Sequence, residues 1–151
     1  MVAKKVIPTD MTAAREAAEE VLARVEAGGC RAEVLFAVRL ALEEALANAI
    51  KHGNRYDRAK TITVSAEVGA EETAITVADE GPGFDPRHLP DPRADENLEK
   101  PGGRGIMLMR AYMDEVAFNE RGNEVRMIKR TSSASRAGAP PRPDADRGGG
   151  P

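Results

Sequence analysis

Apolar residues recur along this chain with two different periods, and the switch between them marks out its elements. From Met11 to Ala27, Ala14, Ala17, Val21 and Val25 return at steps of three or four, the spacing of one helical face, and Gly28-Gly29 stops the pattern. Thr9 or Asp10 offers the N-cap. A second helix is predicted from Ala32 to His52, ended by Gly53-Asn54, with Leu35, Val38, Leu42, Ala45 and Ala49 as its buried stripe. The period then falls to two. In TITVSAEV, Ile62, Val64, Ala66 and Val68 alternate with polar residues, and TAITVAD places Ile75 and Val77 on one face. The short turn from Gly69 to Glu72 makes this pair of strands antiparallel. Residues 3–7 (AKKVI), ended by Pro8, predict a short edge strand. Gly105 to Met113 predicts a short helix, and EVAF and EVRMIKR, separated by NERGN, a closing hairpin. Glycines and prolines punctuate Gly81 to Gly105, a stretch long enough to be a functional lid or disordered. The sum is an α+β domain: a single α/β sandwich whose mixed, mostly antiparallel sheet is covered on one face by helices.

Composition sets the limits of that domain. Residues 131–151 (TSSASRAGAPPRPDADRGGGP) contain no large apolar side chain, which predicts a disordered tail behind a folded domain of residues 1–130. The 151-residue chain has 22 basic and 25 acidic residues, no Trp, three Phe and two Tyr. No basic stripe with interleaved aromatics occurs, so nucleic acid is not an expected partner. No apolar run approaches the roughly 20 residues of a membrane helix, and MVAKKVIPTD lacks a signal-peptide core. Cys30, alone, excludes an internal disulfide framework and any multi-cysteine metal site. A cytoplasmic protein without membrane contact is expected.

Three places carry candidate chemistry. On the second helix Glu44, Asn48 and His52 are spaced by four and share one face, with Lys51 on a flank. A carboxylate, a carboxamide and an imidazole in one row suit a hard cation and a reactive hydroxyl: the carboxamide offers Mg²⁺ a neutral oxygen, and the carboxylate can take a proton. A solvated polar face would leave the same row. Glu43 points about 100° away from Glu44, which makes it a surface or structural carboxylate. The second place is Asp79-Glu80-Gly81-Pro82-Gly83-Phe84, directly after a strand. There an Asp can accept from an exocyclic amine such as that of adenine, while Gly81 and Gly83 let backbone approach a flat ring; an ordinary turn uses the same residue types. The third is Gly102-Gly103-Arg104-Gly105 at the start of the short helix, where free N–H groups and an Arg suit phosphates. It is neither a Walker A loop nor a Rossmann fingerprint.

The order of these three motifs is more specific than any one of them. EEALANAIKHG resembles the N box, DEGPGF the first glycine box and GGRGIMLM the second glycine box of the GHKL ATPase superfamily. With AYMDEV after the last box and a closing VRMIKR strand, the chain is most similar to the anti-sigma-factor serine kinases of bacterial partner-switching systems, over nearly all of residues 1–130. The resemblance implies the Bergerat fold and a set of roles. Asn48 ligates a Mg²⁺ that bridges the phosphates of ATP. Glu44 is the general base toward a serine hydroxyl of a protein substrate. Asp79 binds the adenine amine, with Gly81 and Gly83 leaving room at the base. Gly103, Arg104 and Gly105 contact phosphates, and His52, beside Lys51, closes the N box on the nucleotide side. Asp85 to Pro101 form the ATP lid. The sequence departs from the family pattern at Gly122-Asn123, where many relatives carry Gly-Thr, so adenine contacts or nucleotide affinity are expected to differ.

The expected activity is that of an ATP- and Mg²⁺-dependent serine protein kinase that binds a sigma factor and phosphorylates the sigma factor's antagonist. Histidine kinases share the boxes but attach them to a phosphoacceptor helical dimer. This sequence ends with the domain, which favours action on a separate partner. The alternative is a non-catalytic module in which ATP sets the affinity for another signalling protein. The resemblance also implies a homodimer.

Overall fold

The computed structural model describes residues 2–83 and 103–130, the side chains of 2, 103 and 104 apart. The strand β1 (Val2–Pro8) leads into the helix α1 (Met11–Ala27). Of the two candidate caps, Asp10 does the work: its carboxylate accepts the Ala13 amide at 2.9 Å, satisfying a donor that every helix start leaves unpaired. Thr9 is turned inward instead, and its hydroxyl donates to the Lys60 carbonyl at 2.8 Å.

The helix α2 (Ala32–Asn48) buries a wider surface than its predicted stripe. Val34, Ala37, Ala41 and Leu46 are buried along with Val38, Leu42 and Ala45, whereas Leu35 is half-buried at the edge of the core. The reason is position. The helix is flanked by α1 and by a third helix, α3 (Gly103–Tyr112), and lies on the sheet between them. The α-helical hydrogen bonding predicted to continue to His52 ends at Asn48, and a π turn follows over Ala49–Gly53. The Asn54 amide closes it by donating to Ala49 O, five residues back, at 2.8 Å.

The strands β2 (Thr61–Val68), β3 (Glu72–Ala78), β4 (Glu115–Phe118) and β5 (Glu124–Arg130) complete the sheet. Its order is β1-β2-β3-β5-β4, and among the described residues every neighbouring pair is antiparallel, which sharpens the expected mixed sheet. Register explains which residues form the core. Val64, Val77, Val125 and Phe118 lie in one cross-strand row, and Ala66, Ile75, Met127 and Val116 in the next. These rows meet Leu22, Val25, Val38, Leu42 and Met109 from the helices in a single apolar cluster. A fully buried side chain such as Leu42 or Ile75 stabilises the fold by roughly 1.5–3 kcal/mol relative to exposure. The opposite face is more polar, with Ser65, Thr76 and Arg126 in register. The second helix is thus held rigidly over β3 and β5, and its polar edge faces the first turn of α3.

Candidate functional site

Glu44 and Asn48 stand one turn apart on α2, both half-buried. The start of α3 lies directly on them. A Cβ added to Gly105 would sit 2.9 Å from Asn48 Nδ2 and 3.1 Å from Glu44 Oε1, so only a glycine lets the helix turn approach this closely. Glu43, as expected from the helical wheel, is exposed and pairs with Arg39 at 3.8 Å. The predicted row of three does not run straight on. His52 lies in the π turn, whose rotation per residue is smaller than that of an α-helix, and its side chain is largely exposed. Desolvation of the ring, with Lys51 beside it, holds the His52 imidazole below its ordinary value.

Asp79 directly follows β3. Its amide donates to Asn123 O at 2.9 Å, which fixes it to the start of β5. The carboxylate accepts the Gly81 amide at 2.8 Å and lies against Gly53. Burial pushes the Asp79 carboxyl up from its ordinary value, opposed by the Gly81 hydrogen bond and by the charges of Lys60 and Arg121. Gly81 is more tightly constrained than Gly105: a Cβ there would lie 1.9 Å from Gly53 O, a backbone atom. Gly83 backs onto the Arg121 carbonyl across the β4–β5 turn. Asn123 is drawn into the same corner, its Nδ2 reaching Asp79 O at 3.4 Å and its Oδ1 accepting from Asn119 Nδ2 at 2.7 Å.

Gly103, Arg104 and Gly105 form the first turn of α3, so the end of the helix that carries unpaired amides packs on the Glu44–Asn48 edge at Gly105. The side chain of Arg104 lies outside the described residues. So do Gly102, Phe84, the predicted lid from Asp85 to Pro101 and the predicted tail of 131–151. The three motifs, separated by up to about sixty positions in sequence, thus converge through two glycine contacts, one on α2 and one on the π turn that follows it.

Sequence reasoning missed two side chains that build this corner. Asn54, read as a helix stop, is 1% exposed and bonds three separate segments. Asn119, read as part of a hairpin loop, accepts from the amides of Gly122 and Asn123 at 2.8 and 3.1 Å and so shapes the turn behind Gly83. Asparagine after a helix or in a hairpin is ordinary turn chemistry, and nothing in its spacing reveals such partners.

The sequence pattern of the histidine kinase-like ATPase domain matches residues 6–129. The chain belongs to that family. Among curated family members, an anti-sigma F factor of Clostridium perfringens is 31% identical over 101 residues, covering 64% of this chain and 71% of its own. The serine-protein kinase RsbW of Bacillus subtilis is 32% identical over 101 residues, 61% of this chain and 62% of its own. The serine/threonine-protein kinase BtrW of Bordetella bronchiseptica is 28% identical over 92 residues, 60% and 65% of the two chains. Among solved structures, the RsbU and RsbW domains of a Mycobacterium tuberculosis protein superpose with a TM-score of 0.59 at 16% identity. That superposition covers 87% of this chain but 32% of the other, so the likeness is to one part of a larger protein. The fold is therefore the GHKL fold expected from the three boxes. No helix among the described residues is long and apolar enough to cross a membrane.

Proposed function

We propose that this chain is an ATP-dependent serine protein kinase that acts as an anti-sigma regulatory factor, holding a sigma factor and phosphorylating the antagonist that releases it. The observation that carries this reading is the contact of Gly105 with both Glu44 and Asn48, which brings a base and a metal-binding oxygen to a helix start suited to phosphates. The names of the relatives support the partner assignment.

Each residue then has a task. Asp79 accepts the exocyclic amine of adenine, and Gly81 and Gly83 leave the base room to lie against backbone. The amides of Gly103 to Gly105 and the Arg104 guanidinium hold the phosphates. The donor set fits Mg²⁺: this ion takes one or two protein oxygens and completes its shell with phosphate and water. Asn48 can supply one such oxygen, and among the described residues no cluster of three His, Cys, Asp or Glu competes for the ion. When bound, Mg²⁺ neutralises charge on the transferring phosphoryl group. Glu44 accepts the proton of the substrate serine as its oxygen bonds to the γ-phosphorus. The bond from that phosphorus to the bridging oxygen breaks, and ADP departs with the electron pair. His52, exposed on the π turn, contributes from the rim of the nucleotide site. Asn123 sends its carboxamide to Asp79 O and Asn119, so it supports the adenine-reading carboxylate from behind. The unit that does this spans residues 1–130, works in the cytoplasm and pairs with a second copy.

The test is incubation of the full chain with γ-labelled ATP, Mg²⁺ and a cognate antagonist domain. Label recovered as phosphoserine on the antagonist is the expected result. An antagonist that binds the chain yet stays unlabelled would overturn the kinase reading and leave ATP as a ligand that sets partner affinity.

A further inference from the structure

Asn54, the asparagine that closes the π turn, has no task in the reading above, yet it and Gly53 of the turn hold the Asp79–Gly81 segment from behind. Asn54 Nδ2 donates to Thr9 Oγ1 at 2.9 Å and to the Thr61 carbonyl at 3.0 Å, while Oδ1 accepts the Glu80 amide at 2.8 Å. One buried carboxamide thereby joins the β1–α1 junction, the start of β2 and the residue after Asp79. Two further bonds close the network: Thr9 Oγ1 donates to Lys60 O, and the Thr61 amide donates to Glu80 Oε1, each at 2.8 Å. The backbone of the same turn completes the seat, because the Asp79 carboxylate lies against Gly53 and Gly81 packs on Gly53 O.

The chain accepts an uncommon backbone to place this side chain. Arg55 and Tyr56, the next two residues, both have left-handed φ angles, 52° and 61°. Non-glycine residues seldom adopt that region, and a consecutive pair persists where surrounding contacts over-determine it. Here those contacts include the Tyr56 amide donating to Ile50 O at 2.8 Å and the Asp57 amide donating to Asn54 O at 3.0 Å. A buried polar network in which each member is paired is rigid, and its rigidity is passed to whatever it holds. What it holds is the Asp79–Gly81 backbone.

We propose that Asn54 is a positioning residue for nucleotide recognition, fixing the Asp79–Gly81 segment in the pose that reads the base and tying that pose, through Thr9, to the junction of β1 and α1. The inference rests on the assignment of Asp79 to the adenine amine. Asn54 does not touch the nucleotide; it sets the direction in which Asp79 points. The first strand and first helix, distant from the phosphates in the chain, thereby gain a mechanical link to the base-reading corner.

The experiment compares the affinity of the full chain for ATP and for purine riboside triphosphate, which lacks only the exocyclic amine, alongside the unfolding midpoint and the rate of phosphotransfer at saturating ATP. Asp79→Asn is expected to erase the preference for ATP. Asn54→Ala should reduce that preference by about tenfold, the scale of one hydrogen bond to a charged group. Thr9→Val should reduce it in the same direction by less, with the saturated rate of transfer kept in both. A purely structural Asn54 would lower the midpoint and leave the preference of the folded protein intact, which would overturn the proposal. If Asn54→Ala does not fold, Thr9→Val decides alone. If Asp79→Asn itself keeps the wild-type preference, the adenine assignment fails and takes the inference with it. If Asp79→Asn loses the preference while the other two variants keep it, the positioning role alone is rejected.

Discussion

At the scale of single residues, the carboxylate of Asp79 carries the sharpest electrostatic consequence. Burial raises its pKa above the ordinary 3.8, so the folded protein holds this proton more tightly than the unfolded chain does. Its contribution to stability is therefore greatest in acid and is lost as pH rises from about 3.8 through the raised value. The recognition of the adenine amine proposed for Asp79 needs the opposite, ionised form. ATP affinity is thus expected to fall on acidification at a pH above the usual carboxylate range, and Asp79→Asn should stabilise the nucleotide-free protein near neutral pH while weakening ATP binding. Equilibrium ATP titrations across pH, with thermal unfolding of both forms, check this. An affinity that stays flat until the ordinary Asp range, or an Asp79→Asn protein less stable than wild type at pH 7, would contradict it. Asp10 works with the other sign. Its carboxyl is held below the ordinary value, chiefly by the Ala13 amide, so its support for α1 is present above about pH 3.8 and is lost as pH falls through the lowered value.

At the scale of elements, the sequence was most legible where one face alone determines the pattern. The run from Met11 to Ala27 emerged as α1 with the same ends, and TITVSAEV, EVAF and EVRMIKR emerged as β2, β4 and β5. The stripe of α2 was read too narrowly because the helix has neighbours on both flanks, and a single-face periodicity registers only one of them. The π turn was not legible at all. The asparagine that closes it, Asn54, is anchored to Thr9, Thr61 and Glu80, partners that no local pattern discloses. The strand order, with β5 between β3 and β4, was equally hidden. For the proposed site, Glu44, Asn48, Asp79 and the glycines were candidates by residue type and spacing. Their meeting through Gly105 and Gly81 depends on how α3 and the π turn pack. Those two contacts predict different failures. Gly81→Ala drives a methyl into the Gly53 carbonyl, a backbone atom with little room to yield, and should destabilise the protein by about 1–3 kcal/mol or more. Gly105→Ala meets side-chain ends that can swing away, so it should leave denaturant unfolding nearly unchanged and impair phosphotransfer by displacing Asn48 and Glu44. Equal losses of stability in the two variants, or wild-type transfer by Gly105→Ala, would show that the contacts do not differ in this way.

At the scale of the whole molecule, the antiparallel sheet is a platform that holds two arms in fixed relation. One arm is the polar edge of α2 under the start of α3. The other is the end of β3, braced by β5 through Asn123 and by the π turn through Asn54. Phosphoryl transfer relies on positioning and charge neutralisation more than on covalent help, and a platform of this kind supplies positioning. Both arms lie within residues 6–129, the stretch matched by the histidine kinase-like ATPase domain. In the proposed function nucleotide binding is spread over Asn48, Asp79 and the α3 turn, and chemistry is concentrated at Glu44. Single-turnover transfer to the antagonist by Glu44→Gln, with ATP affinity measured on the same preparation, tests that separation most directly. The expected result is ATP bound within about threefold of wild type and a transfer rate lower by at least about a hundredfold, the usual scale for a lost general base. Transfer at the wild-type rate with ATP bound normally would contradict it.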